Sequence, residues 1–302
     1  MSRSSWSGPV RSANGFEHAV KNSTTGEYIS HTTIGGRDAR RYYLEEYFSH
    51  RPGINANIDQ AYTVEIARGL NRHFEVLGTN MTTALSTFDT TRGGITITTA
   101  GADEDQAIIT PHLDTTTDNT DGNTAWYGVL WGTENSVQWD CLVSTNAIDN
   151  QKIWAGLKLT NDQLIATDAD QAFFKFATDA DNGESLTDFT LLHFVYSVAN
   201  TDYISALPIT VAANTSYHLK IIIDSNRQIT IFVNGLQYNV TSTAGSTGGT
   251  AVTRVKKNEA PVLSTALTND IDLIPYIGIE AGAAAAEALD VHYTGISRIL
   301  FE

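Results

Sequence analysis

Few residues of this chain stand in a pattern that performs covalent chemistry. Glycoside hydrolysis needs two carboxylates on one face, one to protonate the leaving oxygen and one to attack or to activate water. The stretch E-N-S-V-Q-W-D from Glu134 to Asp140 comes nearest, and its six-residue step does not give that pairing. No H-E-x-x-H, G-x-S-x-G or P-loop pattern occurs, so zinc-protease, serine-hydrolase and nucleotide-binding signatures are missing. The eight histidines are scattered. His112, His193, His218 and His292 each sit singly in strand-like runs, where a hydrogen-bonded histidine is the plain reading. The expectation is a protein that is not an enzyme, with no catalytic residue, cofactor site or metal ligand set.

Two acidic stretches and one aromatic stretch remain. D-T-T-T-D-N-T-D-G-N at 114–123 and D-A-D-N-G-E at 179–184 gather oxygen donors in short loops, as a structural calcium requires. Neither follows the EF-hand spacing, and such turns also arise for backbone reasons alone. Trp126, Tyr127 and Trp131 lie in the segment W-Y-G-V-L-W. Exposed, these rings would stack on sugars; buried, they would anchor a long loop onto the body, and burial is the commoner fate of aromatics.

The elements that must carry these residues change character along the chain. Residues 1–36 are rich in Gly, Ser, Thr and Asn with isolated apolar residues, too few to fold alone. Asp38–Ser49 reads as a short helix, with Tyr43, Leu44, Tyr47 and Phe48 at helical spacing and Pro52 as its stop. Ile58–Leu77 reads as a second helix, striped by Ala67, Leu70, Phe74 and Leu77 and closed by Gly78. After Gly93-Gly94 the period falls to two. Strands are expected at Ile95–Ile97, Gln106–Leu113 (Pro111 marking an edge or bulge), Ser136–Thr145, Lys152–Leu159, Gln171–Ala177, Leu191–Val198 and Leu289–Phe301. Y-H-L-K-I-I-I-D at 217–224 and R-Q-I-T-I-F-V-N-G at 227–235 form a hairpin about Ser225-Asn226. Strand runs without crossover helices predict two stacked antiparallel sheets. The expected division is 1–51, an arm with a short helix for attachment or oligomerisation; 52–93, helix and linker; and 94–302, a β-sandwich with a long Ser/Thr/Gly-rich loop at 242–270. Cys141, the single cysteine, falls on the inward parity of its strand and reads as core.

The net charge is −15, and it is uneven: residues 1–51 sum to +2 and residues 52–302 to −17. An acidic body repels nucleic acid. No apolar run reaches membrane-spanning length, and residues 1–14 hold no apolar signal core. Neither nucleic acid nor membrane is expected as a partner.

The hairpin ending in Asn234-Gly235, followed by L-D-V-H-Y-T-G-I-S-R-I-L, resembles the end of concanavalin A-like (laminin G-like) jelly rolls, which implies a last strand returning to the middle of a sheet. A narrower resemblance lies in S-W-S-G-P-V-R-S-A-N-G-F at 5–16, K-I-W-A-G-L-K-L-T-N at 152–161, T-D-A-D-Q-A-F-F-K-F at 167–176 and the segment 273–302. These are similar to virion structural proteins of tailed phages. That resemblance implies a non-enzymatic capsid decoration or cement protein on the capsid exterior, made in the host cytoplasm. Its partners would be the major capsid protein or other virion proteins and further copies of itself, a trimer being one candidate. Trp6, Phe16, Tyr43, Tyr47 and Phe48 are then the expected attachment contacts. The alternative is a lectin-like tail or fibre protein that meets a host-surface glycan through Trp126, Tyr127 and Trp131.

Overall fold

The structure, a computed structural model, describes residues 16–21, 28–34, 41–55, 73–111, 130–159, 168–178, 190–245 and 248–300. Its strands in chain order are β1 (Phe16–Lys21), β2 (Tyr28–Ile34), β3 (Arg41–Glu46), β4 (Gly53–Asn55), β5 (Phe74–Gly78), β6 (Ser86–Phe88), β7 (Ile95–Thr98), β8 (Gln106–Pro111), β9 (Gln138–Thr145) and β10 (Gln151–Lys158). There follow β11 (Gln171–Ala177), β12 (Leu191–Val198), β13 (Thr201–Thr210), β14 (Tyr217–Ile223), β15 (Ile229–Val233), β16 (Leu236–Tyr238), β17 (Thr250–Ala251), β18 (Ile274–Ala281) and β19 (Ala288–Ile299).

β1 and β2 form a two-stranded pair of their own. A nine-stranded sheet runs β17-β13-β12-β11-β10-β18-β8-β5-β4, and an eight-stranded sheet runs β16-β15-β14-β9-β19-β7-β6 with β3 also paired to β19. Pairing is antiparallel except β4 with β5 and β13 with β17. This is the two-sheet jelly-roll sandwich that the alternating strand runs predict. The last strand lies inside its sheet, between β9 and the pair β7 and β3.

The alternation reads directly into burial. Val137, Trp139, Cys141 and Val143 face inward, as do Leu219, Ile221 and Ile223 opposite Ile229, Ile231 and Val233. Across the sandwich they meet Ile153, Ala155, Leu157, Phe174, Phe194, Ile277 and Ile279. The β14–β15 turn is longer than two residues. Asp224 caps it, its Oδ1 accepting from the N–H groups of Asn226 and Gln228, and Arg227 takes φ +62. Asn234-Gly235, both at positive φ, makes the two-residue turn between β15 and β16.

Five expectations are corrected. The helix expected at Asp38–Ser49 is strand β3 where described. Ser297 pairs Tyr43, Ile296 pairs Leu44, and only Leu44 of the strand is fully inward. The second expected helix ends instead in β5, a fully buried strand, while residues 56–72 lie outside the described residues. Among the described residues the helical element is a single 3-10 turn, Thr83–Leu85. The sandwich therefore begins well before Gly94, since β3 to β6 belong to its sheets. Pro111 marks neither an edge nor a bulge: β8 sits between β18 and β5 with the proline as its last residue. Within the expected loop 242–270, Leu267 is core and Ser264 Oγ accepts the Ile229 N–H at 2.7 Å, so this part is pinned to the body.

Candidate functional site

The middle strands of the nine-stranded sheet, β5, β8, β18, β10, β11 and β12, are buried on both faces, and their second face is not built like a core. In β10, Ile153, Ala155 and Leu157 point to the main core, so Lys152, Trp154 and Lys158 take the opposite parity. Register carries that parity across the sheet. One row runs Gly278, Trp154, Lys175 and His193 over β18, β10, β11 and β12. A second runs Lys158, Gln171, Ser197 and Asp202 over β10 to β13. A third joins Gln106, Glu280 and Lys152 over β8, β18 and β10.

These side chains touch one another. Trp154 and Tyr276 stack with ring centroids 6.0 Å apart, and the Lys158 ammonium lies 4.7 Å from the centre of the Tyr276 ring. Lys158 also pairs with Asp168 at 3.8 Å, both side chains almost wholly buried. Asp168 in turn accepts the Leu159 N–H at 3.0 Å. Glu280 accepts from both Lys152 and Gln106. Gln171 Nε2 donates to Ser197 Oγ at 2.9 Å, and Ser197 donates to Asp202 at 2.5 Å. His193 Nδ1 donates to the Leu191 carbonyl at 3.0 Å, which fixes that tautomer in the neutral ring.

Around this polar set Leu77, Ile108, Phe173, Ala177, Val195 and Ile204 form an apolar cluster separate from the main core. Three polar atoms within it, Trp154 Nε1, Gln106 Oε1 and Gln171 Oε1, have no hydrogen-bond partner among the described residues. Each buried polar atom left so costs about 1–3 kcal/mol. The band reaches solvent at Asp202, which is exposed, and at Lys152, whose side chain keeps 12% of its accessible area. Chemically, it offers donors, acceptors, an aromatic pair and cations whose charge is largely matched by carboxylates.

The residues expected to act fare differently. Trp131 is 1% exposed and packs in the main core, with Leu273 N–H bonded to its carbonyl at 3.0 Å. It anchors a loop and is closed to a sugar ring. Trp126 and Tyr127, the acidic loops 114–123 and 179–184, and Trp6 lie outside the described residues. Phe16 is on β1. Tyr43 is half-buried on β3. Tyr47 is 61% exposed and leans on Tyr293 with centroids 4.9 Å apart. Phe48 is 1% exposed, edge-on to Phe74, which removes it from the attachment contacts.

No family model matches the chain, and no curated protein matches it. Among solved structures, a protein of unknown function from Shewanella oneidensis MR-1 shares 10% identity over 85% of this chain and 86% of that one, with a TM-score of 0.45. Alginate lyase A1-II′, a member of polysaccharide lyase family 7, shares 11% identity over 76% and 96%, TM-score 0.43. The Caenorhabditis elegans galectin LEC-6 shares 14% over 55% and 86%, TM-score 0.30. These are likenesses of fold. They nevertheless correct one expectation. Several solved neighbours are alginate lyases, so a missing hydrolase motif does not establish that a chain of this architecture lacks catalysis. That motif addresses a single way of breaking a glycosidic bond.

Proposed function

We propose that this chain is a tailed-phage particle protein that engages an uncharged, hydroxyl-rich glycan through the band on the nine-stranded sheet, as a tail or fibre component meeting the host surface. The phrases shared with virion proteins support the particle role, and the band supports the ligand. One observation carries it: Lys158, Gln171, Ser197 and Asp202 stand in register on neighbouring strands, beside the stacked Trp154 and Tyr276. A face serving stability alone would bury mainly apolar side chains, whereas this one gathers lysines, carboxylates and amides. Trp154 and Tyr276 are each 1% exposed, so a glycan meets the band at its rim, where the Asp202 carboxylate and the Lys152 ammonium reach solvent and suit its hydroxyls. Lys152, Lys158 and Lys175 share the face with Glu75, Glu280, Asp168 and Asp202, and the whole chain carries −15. Both facts disfavour a polyanion.

Capsid decoration is the second reading. Tyr47, exposed on the strand side of β19, favours it as a contact for another virion protein. The test is a glycan array probed with the full chain, with bound glycans sized afterwards so that cleavage registers beside binding. Selective retention of neutral glycans supports the first reading. Retention of none, with the protein located on the head in labelled particles, supports the second.

A further inference from the structure

The outer side of the eight-stranded sheet carries a group that the glycan reading leaves unused. Asp89, Asp290 and His292 each present a donor atom, and these atoms lie within 4.8 Å of one another. Each is fixed from outside the group. Asp89 opens the turn after β6. Its Oδ1 accepts the N–H groups of Thr91 and Arg92 at 2.9 Å each, leaving Oδ2 to point elsewhere. Asp290 pairs Thr96 across β7 and Ser144 across β9, and receives Thr96 Oγ1 at 2.6 Å and Ser144 Oγ at 3.3 Å.

His292 falls at a register shift of β19 against β9, between Val291 and Tyr293. Such a bulge re-aims the extra residue's side chain. Its Nδ1 lies 2.7 Å from the Gly93 carbonyl. A carbonyl only accepts, so Nδ1 carries the proton and the lone pair of the neutral ring is on Nε2, whose neighbour is Ser144 Oγ at 3.2 Å. A backbone carbonyl on the far nitrogen is the usual support of a metal-bound imidazole. The approach requires glycine next door: a Cβ on Gly94 would stand 2.5 Å from Val291 O and 2.6 Å from His292 Cα. His292 forms no direct ion pair with either aspartate among the described residues. The donor atoms, within 4.8 Å of one another, stand slightly wider than the roughly 3.4–4.2 Å between ligands about 2.1 Å from one ion, so the side chains would draw together by less than about 1.5 Å on binding.

We infer that Asp89, Asp290 and His292 bind one divalent transition-metal ion, with Ser144 beside it and the remaining positions open to water. One imidazole and two carboxylates favour Zn²⁺ over Mn²⁺ and both over Ca²⁺, because nitrogen ligands follow the divalent-metal series and Ca²⁺ demands more oxygens. The site is independent of the glycan band, on the other sheet, so either proposal stands if the other fails.

The test uses chelator-treated full chain titrated separately with Zn²⁺, Mn²⁺ and Ca²⁺ by calorimetry, with melting temperatures measured in parallel. One equivalent of Zn²⁺ should bind and raise the melting temperature. H292Q and D290N should each weaken it at least about tenfold. D89N, whose amide oxygen keeps the turn bonds, guards against misfolding: it should melt like the metal-free parent and still bind poorly. No saturable Zn²⁺ binding, binding by D89N and H292Q as tight as the parent's, or Ca²⁺ binding tighter than Zn²⁺ would overturn the assignment.

Discussion

Trp154 and Tyr276, on the adjacent strands β10 and β18, lie nearly parallel at 19° with centroids 6.0 Å apart, and Gly278 is what lets the indole lie there. A Cβ on Gly278 would stand 2.7 Å from Trp154 Cε2. Gly278→Val should therefore push the indole off the tyrosine at a cost of about 1–3 kcal/mol. Urea unfolding gives the stability loss, and quenched or shifted tryptophan emission reports the ring. An unchanged emission spectrum would show that the stack does not depend on the glycine.

Lys158 is wholly buried with Asp168 as its ion-pair partner. Removing one member of such a pair strands the other, typically for about 3–5 kcal/mol, whereas replacing both with apolar groups is far milder. Lys158→Met should cost more than Lys158→Met with Asp168→Leu. Chemical denaturation of the three variants completes the cycle. Additive losses would mean that the two charges are not coupled.

The Asp272 carboxyl is held above its usual range by burial first and by the Glu134 carboxylate next. Its folded-state pKa exceeds the unfolded one, so the native state binds more protons and stability falls as pH rises through that window. Asp272→Asn removes the penalty. The variant should melt higher than the parent at pH 7, and the advantage should vanish below about pH 3, where both states are protonated. A constant gain at every pH would point to a cause other than ionisation.

Strand β3 changes where an N-terminal truncation must stop. Deleting residues 1–51 removes the partner of β19 over Thr294–Ile299 together with the buried Leu44 and Phe48. This should destabilise the body sharply. Deleting residues 1–40 leaves β3 in place and should keep the sandwich folded. Melting curves of the two truncations distinguish these outcomes, and particle incorporation of the shorter deletion then reads attachment alone.

The strands whose outer face meets water were legible because one parity is apolar and the other polar: 137–143, 219–223, 229–233 and the closing strand all follow it. Tyr43, Leu44, Tyr47 and Phe48 misled because two adjacent apolar pairs four residues apart satisfy a helix as well as a strand that turns a corner. Phe48 at φ +53 is that corner. The polar band stayed hidden for a different reason. β10, β11 and β18 are buried on both faces, so K-I-W-A-G-L-K and Q-A-F-F-K-F-A read as continuous apolar runs. The signal was a lysine inside each run, opposite in parity to Ile153, Leu157, Phe174 and Phe176. Likewise Asp290 and His292, two residues apart, share a strand face, but Asp89 joins them only through the pairing of β6, β7 and β19.

The most direct measurement is glycan binding by rim variants of the band. Asp202 is exposed and Lys152 partly so, which makes them the two members of the band that a ligand in solution reaches. Titrating the best neutral glycan from an array into the parent, Asp202→Ala and Lys152→Ala should show affinity falling at least about tenfold in each variant, about 1.4 kcal/mol, at an unchanged melting temperature for Asp202→Ala and a lowered one for Lys152→Ala, which strands Glu280. Equal affinity in all three proteins, or no saturable binding of any glycan by the parent, would contradict the proposal that this face of the nine-stranded sheet is the working surface of the protein.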